Sequence, residues 1–144
     1  MKYILLVGMV LFTTVVLAGK AKKQRQTSEN TIQFLSPMPF NIVHPNDSLN
    51  LKILLTGNQK ISTYQMHLEK GGLSELNCSK YFSSSLQEIF TNETILCNKE
   101  EVIVSLKLVV NGNAIPGNYK FHTQVLDENG ISSHAILTFY VDRR

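Results

Sequence analysis

The chain predicts an all-β fold, an antiparallel sandwich of two sheets with seven or eight strands. Three observations carry that expectation. Apolar residues recur at every second position along most of the chain, the period of a strand with one face buried. Turn-forming residues punctuate these runs at short intervals, as in β-sandwiches. No stretch carries a convincing helical period of 3.6.

The clearest case is the stretch from Ile115 to Val141. Ile115-Pro116-Gly117-Asn118 predicts a turn, because Pro116 presets φ and Gly117 tolerates positive φ. Tyr119, Phe121, Thr123 and Val125 then alternate with Lys120, His122 and Gln124. Asp127-Glu128-Asn129-Gly130 closes a hairpin on Asn-Gly, the pair best suited to two positive φ values. Ala135, Leu137, Phe139 and Val141 form an apolar face on the returning strand.

The rest follows in chain order. Thr31 to Leu35 opens the domain as a short strand, and Ser36-Pro37-Met38-Pro39-Phe40 breaks it, since two prolines cannot both join a ladder. His44-Pro45-Asn46-Asp47 is a turn. Leu49, Leu51, Ile53 and Leu55 line one face of a strand expected to end at Thr56-Gly57-Asn58, and a separate strand runs from Ile61 to Leu68. Gly71-Gly72 turns the chain. Leu73 to Phe82 reads as a short strand, and Leu86 to Phe90 fits a strand or a helical turn equally well. The longest strand carries Val102, Val104, Leu106, Leu108 and Val110 on one face, with Ile103 and Val109 apolar on the other.

Residues 1–18 have the pattern of an export signal. Lys2 supplies the charge, Ile4 to Leu17 the apolar run, and Val16-Leu17-Ala18 a small-residue cleavage site. The run is shorter than the roughly 20 apolar residues of a membrane span. Residues 19–29 form a flexible basic arm, and 30–144 a single domain. A secreted or endolysosomal location is therefore expected. The sequons at Asn46, Asn77 and Asn92 fit it, with Asn46 and Asn92 the favoured glycosylation sites.

Charge says little, with 14 Lys and Arg against 11 Asp and Glu. Lys20, Lys22, Lys23 and Arg25 crowd the arm, which reads as a solvated leader or as a transient contact with anionic lipid. No basic stripe interleaved with aromatics supports nucleic-acid binding. Cys78 and Cys97 are the only cysteines. In an oxidising compartment they pair most simply, closing a loop of about 20 residues worth ~3 kcal/mol. The alternatives are a free thiol or an intermolecular bridge.

Nothing predicts an enzyme, a cofactor or a metal site. The chain lacks a nucleophile elbow, a phosphate loop and His-Glu-x-x-His. His44, His67, His122 and His134 are scattered, and the last three fall on polar sides of strands, where together they are able to respond to acidification. Glu100, Glu101, Asp127 and Glu128 read as turn acids facing water.

The apolar faces leave two possibilities. They fill the roughly 10 Å between two packed sheets, or they line a lipid-sized hole. Periodicity alone does not separate these. The chain has no tryptophan, the bulky pin of many immunoglobulin domains, and its cysteines lie too close for the usual inter-sheet bridge.

Four segments, in order, are similar to the ML-type lipid-recognition family: Leu35-Ser36-Pro37-Met38-Pro39-Phe40 with Ser48 to Leu51; Leu76-Asn77-Cys78; Leu96-Cys97; and Ile115 to Tyr119 running on to Asp127-Glu128-Asn129-Gly130 and Thr138 to Val141. The similarity spans Thr31 to Val141. It departs where the family's N-terminal cysteine and its final-strand partner are missing, and where Asn98-Lys99 replaces proline-isoleucine.

The resemblance implies a non-catalytic, monomeric immunoglobulin-like sandwich holding one sterol or phospholipid between splayed sheets, for transfer between membranes or presentation to a receptor. The lipid-binding residues it implies are Ile53, Leu55, Tyr64, Met66, Leu68, Leu106, Leu108, Tyr119, Phe121, Val125 and Phe139, with Ile89 and Phe90 at the mouth. The alternative is a solid-cored immunoglobulin- or cadherin-like module that binds another protein.

Overall fold

The computed structural model describes residues 30–143, so the export signal and the whole basic arm lie outside the described residues. Among the described residues there are seven strands: β1 (Thr31–Ser36), β2 (Asn41–Val43), β3 (Ser48–Lys70), β4 (Phe82–Ser84), β5 (Thr94–Val110), β6 (Gly117–Asp127) and β7 (Ser132–Val141). One short helix, α1 (Glu88–Thr91), resolves the ambiguous Leu86 to Phe90 stretch. Among the described residues no helix is long and apolar enough to cross a membrane.

The fold is an immunoglobulin-like β-sandwich, and its two layers are continuous with each other. Hydrogen bonds run through the order β2-β7-β6-β3-β5-β4, with β1 pairing β3 on the side. The first half of β3 pairs β1 and β5, as in Leu55 opposite Ile32 and Val102. Its second half pairs β6, as in Leu68 opposite Phe121. β3 therefore serves both layers, and irregular register between Thr56, Ile61 and Thr63 marks the passage. A bulge adds residues on one side of a ladder and bends the strand there.

That bulge explains a difference from the expected boundaries. Gly57-Asn58 has turn composition, yet the strand continues through it as one 23-residue element. The Leu73 to Phe82 stretch departs further. It holds a 3-10 turn at Cys78–Lys80 capped by Asn77, and strand geometry begins only at Phe82. The sheet is also not wholly antiparallel, because β2 runs parallel to β7.

The two-residue period performs as expected on the inward faces. Leu49, Leu51, Ile53 and Leu55 of β3, Val104, Leu106, Leu108 and Val110 of β5, and Leu137, Phe139 and Val141 of β7 are buried in one core. The β6–β7 hairpin pairs Gly117 with Val141 through to Leu126 with Ser132. Its turn differs from the expected pair of positive φ values: Gly130 alone takes φ 78° there. Asp127 is buried rather than facing water, and its carboxylate accepts the backbone amides of Asn129 at 2.9 Å and Ile131 at 2.8 Å. Ile103 is 50% exposed, so β5 is covered on one face only there.

Candidate functional site

The space between the layers is filled. Ile53, Leu55, Leu108, Tyr119, Phe121 and Val125 have 0% exposure, and Met66, Ile89 and Phe139 have 1%. A void large enough for a lipid leaves accessible surface on the side chains that line it, and these have almost none. Leu68 and Leu106 are buried in the same cluster, with Tyr64 and Phe90 partly buried against it. The inward residues named from the sequence thus come together in one buried cluster, which favours the solid-cored alternative over a lipid chamber among them. Tyr119 spends its hydroxyl internally, donating to the Ile115 carbonyl at 2.7 Å. Burial, reinforced by the neighbouring Cys78, pushes its pKa up to about 12.

The disulfide expectation is also corrected, since Cys78 and Cys97 are free. Cys97 on β5 lies beside the Ile61–Thr63 part of β3, whereas the Cys78 thiol meets the backbone amide of Lys70 at the strand's far end. From Thr63 to Lys70 the strand rises about 20 Å at ~3.3 Å per residue, and a disulfide spans Cα atoms about 4–7 Å apart. Burial pushes the Cys78 thiol up to about 11. Asn46, Asn77 and Asn92 are all exposed, with Asn46 and Asn92 at positive φ. The Asn77 side-chain oxygen accepts from both the amide and the hydroxyl of Ser79.

The polar chemistry gathers instead on the outer face of the second layer. Alternation sends Met66 and Leu68 inward, and so His67 and Glu69 outward. Register places His122 of β6 directly opposite His67. The two imidazoles stack with centroids 4.3 Å apart and planes 7° from parallel. His134 of β7 stacks on the far side of His122 at 5.2 Å, and its Nε2 lies 3.1 Å from His122 Nδ1. His122 Nε2 stands 3.6 Å from a Glu69 carboxylate oxygen. Burial is the main cause holding His67 and His122 below the ordinary imidazole value, partly offset by the Glu69 charge. Beside this row lies a groove of about 400 Å³ between the Ser74–Cys78 segment and α1, with His67, Glu69 and Phe90 on its walls.

Along the edge of the same layer lies an apolar rim that the sequence pattern did not single out. Met38 is 80% exposed, Phe40 78% and Ile42 59%. Ile42 pairs with Tyr140, and the exposed Ile136 continues along β7. The signal was present in Pro37-Met38-Pro39-Phe40, where prolines interrupt the ladder and leave large apolar residues without a strand face to bury. The histidine row was harder to foresee. Each of His67, His122 and His134 falls on a polar face as expected, but only register brings them together.

No known protein family matches the sequence, and no curated protein matches it. Among solved structures, the chain is similar to a superoxide reductase (neelaredoxin) from Ignicoccus hospitalis, at TM-score 0.51 and 7% identity, over 81% of this chain and 83% of that one. It is also similar to the fibronectin(III)-like modules of Clostridium thermocellum CbhA, at TM-score 0.43 and 10% identity, over 78% and 96%. The BIgI domain of the beta protein from S. agalactiae, bound to CEACAM1, gives TM-score 0.44 and 13% identity, over 79% and 99%. At 7% identity the likeness to the reductase is one of fold. None of the three is an ML-type lipid-recognition domain.

Proposed function

We propose that this chain is an exported protein-binding domain that docks through the β2 edge and the outer face of its second layer. The observation that carries the reading is Phe40. Its backbone sits at φ 62°, where a bulky residue is strained, and its ring is 78% exposed. The conformation is held by its own amide, which donates to the Thr138 carbonyl at 2.7 Å. Strain of this kind costs ~1–3 kcal/mol and clusters at functional positions. A protein that spends it to hold an aromatic ring in water, with Met38, Ile42 and Tyr140 close along the chain and the ladder, presents an anchor for a partner.

The leader pattern in residues 1–18 supports export, and the near-zero exposure of the inward residues supports a binding module over a lipid carrier. The resulting activity is recognition, with no bond made or broken.

A photo-crosslinking residue placed at Ile42 in the full chain tests the proposal. It should yield one discrete protein adduct, competed by unlabelled wild-type chain and not by Phe40→Asp. The same residue at Leu96, which is 85% exposed on β5, is the control. An identical adduct pattern from both positions, or native mass spectra showing a stoichiometric bound lipid, overturns it.

A further inference from the structure

β3 places His67 and Glu69 two residues apart on one outward face, and β6 brings His122 against them in direct register. One ligand atom from each of the three lies within 4.8 Å of the others. Donors at about 2.0–2.2 Å in a tetrahedral zinc site stand ~3.3–3.5 Å apart. The observed 3.6 Å between His122 Nε2 and the Glu69 carboxylate oxygen is already close to that separation. The His67 ring, stacked on His122 with planes 7° apart, has to turn out of the stack to aim its in-plane lone pair at the same ion.

The hydrogen-bond pattern around His122 points the same way. Its Nδ1 is engaged with His134 Nε2 at 3.1 Å. Its Nε2 is buried and has no hydrogen-bond partner. When Nδ1–H donates to His134, the buried Nε2 lone pair faces the partly exposed Glu69 carboxylate, and two acceptors confront each other. A cation between them satisfies both. This is also the arrangement in which a metal-bound histidine gives its other N–H to an outer group that fixes its tautomer and orientation.

We propose that His67, Glu69 and His122 bind one divalent transition-metal ion of the zinc class, with His134 as the positioning residue for His122. Two imidazoles and one carboxylate suit zinc, copper and nickel better than calcium or magnesium, which prefer all-oxygen shells. Three protein ligands leave a fourth position for water or for a donor from outside. The site stands independently of the docking reading, and its failure leaves that reading intact.

The test uses the full chain without a polyhistidine tag, stripped by chelator and titrated with Zn²⁺ by calorimetry. Co²⁺ absorption provides the geometry. The expected result is one ion per chain, a tetrahedral cobalt spectrum and no thiolate charge-transfer band. Glu69→Gln and His122→Ala should each weaken binding at least tenfold. His134→Phe, which keeps a stacking ring but loses the nitrogen, should weaken it about tenfold with unchanged apo-protein unfolding. His44→Ala should have no effect. Absence of one-to-one binding overturns the proposal, as does binding that is indifferent to Glu69→Gln or that disappears with Cys97→Ser. Glu69→Gln is half-buried and changes one oxygen to nitrogen, so it decides the matter even where His122→Ala fails to fold.

Discussion

Phe82 and Phe139 stand on strands near opposite ends of the hydrogen-bonded order, yet their rings meet edge to face with centroids 6.0 Å apart. Tyr119 joins them at 4.8 Å from Phe82 and 5.7 Å from Phe139. One sheet therefore folds over until its ends touch, and this aromatic cluster closes the sandwich. Phe82, with 1% exposure, carries the short β4 into that contact. Phe82→Ala should destabilise the domain by about 3–5 kcal/mol, read as a lower urea midpoint. A change under about 1 kcal/mol indicates a loosely packed closure.

Leu106 separates a full core from a roomy one. It is 4% exposed and packed in the main cluster. Leu106→Trp should overpack the site and cost about 1–3 kcal/mol. A variant as stable as wild type points to vacant space between the layers.

The thiols should behave differently from each other. Intact mass of non-reduced protein should show two free sulfhydryls. Iodoacetamide at pH 8 should label the half-buried Cys97 first, because the Cys78 thiol is buried with a pKa near 11 and the thiolate is the reactive form. A mass two hydrogens lower, with neither thiol labelled, is the contrary result.

Alkaline pH should unfold the chain. Cys78 is raised from 9.0 to about 11 and Tyr119 from 10.0 to about 12, both mainly by burial. Each therefore keeps its proton in the folded state at a pH where the unfolded chain releases it. The folded state binds more protons, so stability is complete below about pH 9 and falls as pH rises toward 12. Tyr119→Phe should lose about 1 kcal/mol at pH 7 with the Ile115 hydrogen bond. It should also show a shallower decline between pH 10 and 12 in urea unfolding.

Much of this molecule is determined by the sequence alone. The long strands follow from alternation, and the β6–β7 hairpin follows from alternation joined to its turn residues, because both are local properties of the backbone. Gly57-Asn58 shows the edge of that power. Its composition signals a turn, but pairing with β5 resumes beyond it and carries β3 through as a single element.

Tertiary structure alone decided the rest, since it depends on which strands lie side by side and how far apart the layers stand. Leu55, Leu108 and Phe121 are apolar and alternating whether they meet each other or a guest. Cys78 and Cys97 are near in sequence, yet β3 holds them at different points along its length. His67, His122 and His134 become neighbours only through the register of β3 with β6 and of β6 with β7, a long-range pairing that no local pattern encodes.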